Sequence, residues 1–129
     1  MAVTHSSAFR TTVADAHTTA LGSTAKLKFR LSGTVGSPGT AAATLSFPNP
    51  AFGAATAGVT PAQTGITSDT SATGNASAVA TATLETGAGT VVTHCAVAAS
   101  GSDINMTGGL TIGTGDTVSC SSLTYSAMP

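Results

Sequence analysis

Charge is what this sequence has least of. Its 129 residues include four Lys or Arg and five Asp or Glu, 7% of the chain, against roughly 25% in an ordinary globular protein. A folded monomer of 12.3 kDa exposes on the order of 6,100 Å², so the charges stand about one per 680 Å². Four cations neutralise too few phosphates for the salt-dependent attraction behind nucleic-acid binding, which argues against that class. A net charge of −1 argues equally against an acidic solvating tail. Tryptophan is absent, Tyr125 is the one tyrosine and there are four phenylalanines. That is too few to fill both a core and the exposed aromatic platform of a carbohydrate- or receptor-binding module. Disorder does not fit a chain that is 41% hydrophobic with a mean hydropathy of +0.31.

Long apolar runs are missing as well. Leu31 to Ser68 carries no charge, but Pro38, Pro48, Pro50, Pro61 and several glycines break it, leaving no continuous apolar helix of about 20 residues. No membrane span is expected. Met1 to Arg10 lacks a basic stretch followed by an apolar run, so it does not read as a secretory leader. The length predicts a single domain, residues 1–129, with an N-terminal arm and helix over about residues 1–22.

Catalytic groups are equally sparse. Three His, five acids and two Cys are scattered without metal-ligand spacing. His94-Cys95 is the only adjacent pair and lies in a strand candidate, where neighbours face opposite sides. Cys95 is expected inward with Val91, Thr93 and Val97, and His94 outward. Cys120 shares parity with Val118 and is also expected inside, so two reduced thiols are favoured over a disulfide. Asp69, Asp103 and Asp116 sit beside Ser, Thr or Gly, as turn and capping aspartates do. No glycine-rich stretch carries a phosphate-loop pattern. The expectation is a protein that is not an enzyme and needs no cofactor, metal or small-molecule substrate.

What is present is a pattern of short elements. Thr4, Ser6 or Ser7 can cap a helix whose apolar stripe is Phe9, Val13, Ala16 and Ala20 and whose end is Gly22. Lys26 to Leu31 alternates strictly, cations on one face and Leu27, Phe29 and Leu31 on the other, which predicts a strand with one dry side. Thr44 to Phe47 repeats the alternation until Pro48 and Pro50 stop it. Further strands are predicted at Ala76–Glu85, Thr90–Ala98, Leu110–Ile112 and Thr117–Tyr125, punctuated by glycines. Short strands at about ten-residue spacing imply a mainly β fold, a small antiparallel sandwich, with one short N-terminal helix. Its core would be thin and rich in Ala, Val and Thr, predicting a marginal monomer that gains stability by association.

One charge feature stands out. Arg10, Lys26, Lys28 and Arg30 all lie in the first thirty residues, which net +3, while the remainder nets −4. This reads either as a basic face for an acidic partner or a head-to-tail match between copies, or as cations blunting an exposed strand edge.

The opening Met1-Ala2-Val3-Thr4, the short helix, the Lys26–Leu31 strand, and Leu45-Ser46-Phe47-Pro48-Asn49-Pro50-Ala51-Phe52-Gly53 followed by Ile66-Thr67-Ser68-Asp69-Thr70-Ser71 resemble small head structural proteins of tailed bacteriophages, among them capsid decoration, or cement, proteins. The resemblance implies a small β-sandwich or jelly-roll fold. It also implies binding to the outer surface of an expanded shell, assembly in the host cytoplasm, and partners that are the major capsid protein and further copies of the chain, as dimer or trimer. A phage neck or tail component, or a receptor- or carbohydrate-binding module, is the alternative. The chain departs from that pattern at Pro48 and at His94-Cys95. Candidate contact residues are the arm Met1, Ala2, Val3, Thr4, His5 and Phe9, the cations Arg10, Lys26, Lys28 and Arg30, and Phe52 in the turn from Asn49 to Gly53.

Overall fold

The computed structural model describes residues 3–61 and 65–127. The chain is mainly β with one short helix. Helix α1 (Ser7–Leu21) is followed by strands β1 (Lys26–Arg30), β2 (Ala41–Ser46), β3 (Val59–Pro61), β4 (Thr81–Glu85), β5 (Val91–Ala98), β6 (Ile104–Asn105) and β7 (Thr124–Ser126). Five strands form a sheet in the order β2-β1-β4-β5-β6, and β3 pairs with β7 in a separate ribbon. Pairing is antiparallel except between β5 and β6, which run parallel. The sheet is therefore mixed, a correction to the all-antiparallel expectation. The parallel step is short because Asp103 accepts from the Ala96 N–H at 2.9 Å and Met106 N–H donates to Ala98 at 2.9 Å, folding the chain straight back beside β5.

The helix starts where the caps predict. Ser6 accepts from the Phe9 N–H at 3.2 Å, and Gly22, at φ 75°, ends it by donating to the Thr19 carbonyl. Its buried face is not the expected one. Ala14, His17 and Leu21 are buried, whereas Ala16 and Ala20 are exposed and Phe9 and Val13 are only partly covered. The true stripe lies one position further on and includes a histidine, which apolar periodicity does not register. His17 Nε2 meets Thr93 Oγ1 of β5 at 2.5 Å, and the ring stacks on Tyr125 of β7 at 3.7 Å and 3°. One residue thus pins the helix to both sheets.

Strand boundaries shift for identifiable reasons. β2 begins at Ala41, earlier than expected, because its main chain pairs with β1 as far as Arg30. Residues 76–80 and 110–112 are not strands. Val79 and Asn75 donate to the Leu110 and Ile112 carbonyls outside any ladder. Of the expected Thr117–Tyr125 strand, Val118 makes an isolated bridge to Asp69, and regular pairing begins only at Thr124.

The core lies on the Leu27, Phe29 side of the sheet, with Leu21, Leu45, Leu84 and the aromatic pair Phe47 and Phe52, whose rings are 5.6 Å apart. Among the described residues, eight of the nineteen buried apolar side chains are alanine. An alanine buries little area, so each contributes well under the about 1.5–3 kcal/mol of a buried Leu or Phe.

Candidate interaction surface

Three features bear on contact with other molecules: the arm and first turns of α1, the cation row on β1, and a trough at the β6 edge. Met1 and Ala2 lie outside the described residues. Val3 is 79% exposed and Phe9 47%. His5, just before the N-cap, lies against Phe9 of the first turn, ring centroids 5.3 Å apart and tilted at 45°. Arg10 follows and packs on the turn before β3. A side chain added at Gly58 (φ 83°) would come 2.7 Å from the Arg10 Cβ, and Thr11 Oγ1 accepts from the Gly58 N–H at 3.3 Å. That contact sets the neighbouring Val59, 42% exposed, at the same end of the molecule as Phe9. Two large apolar side chains are thus left in water at the end from which the arm departs, and Thr4 is exposed beside them.

The cation row is not a free basic face. β1 lies between β2 and β4, so its cations do not blunt a sheet edge, and both readings of the row need correction. Glu85 is buried under Lys28 and Arg30, with Lys28 Nζ at 3.2 Å and Arg30 Nη2 at 2.5 Å. Thr83 Oγ1 donates to the same carboxylate at 2.5 Å and accepts from Arg30 Nε at 2.9 Å. Arg30 also donates to the Gly39 carbonyl at 2.5 Å, which ties down the glycine-rich loop after β1. Burial alone would raise the Glu85 carboxyl; its bonds from Arg30, Thr83 and Lys28 outweigh that and hold it below the usual carboxylate range. Arg30 is 7% exposed and unavailable to a partner. Lys26 remains at the surface, donating to Ser46 Oγ at 2.8 Å. The sequence signal that was missed is period two: Thr83 and Glu85 share a face of β4, and the register sets that face beside the cations.

Phe52 is also corrected. It is 2% exposed, packed edge-on to His17 at 5.6 Å and near Tyr125 at 6.5 Å, so it closes the core rather than presenting a contact. The thiols are free and half-buried. Burial, with Asp103 adding to it, pushes Cys95 up to about 11, and burial raises Cys120 as well. Both are therefore thiols, not nucleophilic thiolates, at neutral pH. His94 does not point freely outward: its Nε2 is buried and, among the described residues, unpartnered.

The trough is a cavity of about 680 Å³ between residues 103–112 and 116–124. Phe29 and Ile112 form part of its lining, with Asp103 and Asp116 and many Ser and Thr hydroxyls around them. Among the described residues no cluster of His, Cys, Asp or Glu is arranged to hold a metal ion, and no helix is long and apolar enough to cross a membrane. No family model, curated protein or solved structure matches this chain.

Proposed function

We propose that this chain is a virion structural protein, a capsid decoration protein of a tailed bacteriophage. In this reading it binds the outer surface of the expanded shell and clamps neighbouring major capsid subunits. The observation that carries the reading is the pair of exposed apolar side chains Phe9 and Val59 at one end of the molecule, set there by the Arg10–Gly58 contact between α1 and the turn before β3. Leaving two large apolar side chains in water is unfavourable for a free monomer with an alanine-rich core, and favourable for a subunit in permanent contact with a large protein surface. Each copy need bury only about 1,000 Å², because contacts repeated across a lattice act together. The mechanism is mechanical: rupture of a subunit joint must also break the contacts that span it.

The same reading completes the fold as a small jelly-roll-like sandwich, with the β3–β7 ribbon as the start of a second layer over the five-stranded sheet. Partners are the major capsid protein and further copies of the chain, assembled in the host cytoplasm. A carbohydrate platform has little support, since Phe29, Phe47 and Phe52 are buried and Tyr125 is stacked on His17.

The test is binding of purified protein to expanded empty shells, with copy number counted by quantitative mass spectrometry of intact particles. Hundreds of copies per particle are expected, and Phe9→Ser with Val59→Ser, both at exposed positions, should reduce occupancy at least tenfold. Deletion of residues 1–8 should lower it further. A dozen copies or fewer would replace this reading with a neck or tail component, and unchanged occupancy in the double variant would remove the apolar end from the contact.

A further inference from the structure

The trough is walled by main chain with hydrogen-bonding capacity to spare. β6 is the last strand of the five-stranded sheet, so among the described residues its outer edge faces no strand. Among the described residues, no main-chain to main-chain hydrogen bond engages residues 107–109 on one wall or 119–123 on the other. An unpaired sheet edge beside a partly apolar floor is a template for an added strand. The charge around it has one sign. Asp103 and Asp116 line the trough, with no Lys, Arg or His among the lining residues. Each aspartate commits one carboxylate oxygen to a main-chain N–H, that of Ala96 and of Gly113 respectively, and neither is in a salt bridge among the described residues.

We propose that this trough receives the segment before helix α1 of a second copy of the chain, Val3 to Ser6, as a strand added to the edge of β6. The inference rests on the self-association part of the function proposed above and not on the shell. Charge selects the occupant. Residues 3–14 contain His5 and Arg10 and no acid, and Asp15 is the first acid of the chain. Val3 to Ser6 carries no formal charge, so the complement to a rim of two aspartates and no base is Arg10, four residues past the segment's end, with no acid between them. Its conformation is suited to the slot: Ser6 is already extended, at φ −62° and ψ 151°. Val3 is the most exposed large apolar side chain among the described residues. Four extended residues span about 13 Å, enough to cover Ile104 and Asn105 and reach the unpaired 107–109 stretch. Period two sets Val3 and His5 on one side of the added strand, so the valine can enter over Phe29 and Ile112 while Arg10, at the start of the helix, lies toward the acidic rim.

The experiment uses the full chain and a synthetic peptide of residues 1–12 as probe. Titration of the peptide should saturate and slow amide exchange at 104–109 and 119–123, and the same amides should become protected in the full chain as its concentration rises. Asp103→Asn with Asp116→Asn keeps an oxygen acceptor for Ala96 and Gly113 but removes the charge. It should weaken peptide binding about fivefold to tenfold. A peptide carrying Val3→Asp should lose binding altogether, and full chain with Val3→Asp should sediment as a monomer where the parent associates. The proposal is overturned if the peptide does not bind while the parent stays monomeric. It is also overturned if both substitutions leave binding unchanged, or if the trough amides are protected independently of concentration, which would mean the chain's own arm fills the slot. Shells are absent from this assay, so its failure leaves the decoration reading standing, and failure of shell binding leaves the slot standing.

Discussion

Replacing Glu85 tests the least expected feature of the sheet, a carboxylate buried beneath two cations. Arg30 is 7% exposed and has one carboxylate within ion-pair distance, at 2.5 Å. Glu85→Ala leaves that guanidinium buried without a counter-charge. Breaking a buried pair from one side costs about 3–5 kcal/mol. The low end is expected here, because the second cation, Lys28, has a side chain 27% exposed and can turn to water for about 0–1 kcal/mol. Glu85→Gln retains an oxygen for Arg30 and Thr83 and should cost less, about 1–1.5 kcal/mol, the difference between a hydrogen bond to a charged group and one to a neutral group. Arg30→Met with Glu85→Leu removes both charges and should recover most of the loss, since an apolar pair of similar size is often neutral or stabilising.

The assay is urea unfolding followed by far-ultraviolet circular dichroism, comparing midpoints at unchanged slope. A loss of about 3 kcal/mol corresponds to a fall in Tm on the order of 10–15 °C. Acid titration gives an independent check. The folded Glu85 value is lowered from 4.5, so its contribution is complete above about pH 4.5 and is lost as the pH falls through the lowered folded value. Glu85→Gln should remove that part of the acid sensitivity. If Glu85→Ala lies within 1 kcal/mol of the parent and the double variant is no better, the pair is screened by water and the argument from burial fails.

Two further outcomes follow from the aromatic cluster. His17 is held below 6.5 by burial, so the unfolded chain takes up a proton that the folded chain refuses. Stability should fall as the pH drops from about 6.5 toward the lowered folded value, and His17→Phe should flatten that window, measured by urea midpoints at pH 7.5 and 5.5, while leaving the Glu85 window below 4.5. Phe52→Ala removes the ring that bridges Phe47 and His17 and should cost about 3–5 kcal/mol, read from the same unfolding curves; a loss below 1 kcal/mol would mean that this end of the core is loosely packed.

Part of the central sheet was legible because period two survives in Lys26 to Arg30 and in Thr44 to Phe47: one face must be dry, and Leu27, Phe29, Leu45 and Phe47 supply it. The helix was legible from its ends. Its buried face was not, because that face is held by a polar residue whose partner, Thr93, lies 76 positions away. Loop pairing was equally hidden. Val79 and Asn75 donate to the carbonyls of Leu110 and Ile112, far along the chain, and a main-chain bond of that kind leaves no mark on side-chain periodicity. The site divides in the same way. Exposure at Val3 and Phe9 follows from a short arm before a helix. The burial of Arg30 and Phe52 depends on strand order and on what the chain beyond Pro50 packs against, neither of which local composition encodes.

The fate of the four cations changes what kind of association this surface supports. Taken from the sequence, a +3 segment facing a −4 remainder suggests contacts driven by charge and weakened by salt. In the fold, Lys28 and Arg30 are committed to Glu85, and charge that is neutralised internally does not steer a partner. What is most exposed at the α1 end is apolar, Phe9 and Val59, with Arg10 packed between them against Gly58, so contact through the two apolar side chains should strengthen or hold as salt rises. At the β6 edge the remaining charges, Asp103 and Asp116, sit on the rim, so contact there should weaken with salt over a Debye length of about 10 Å at 0.1 M. In the proposed scheme two surfaces with opposite salt responses load in sequence: copies would associate through the trough at low ionic strength, and the apolar end would stay available for a larger surface under conditions that release the first contact.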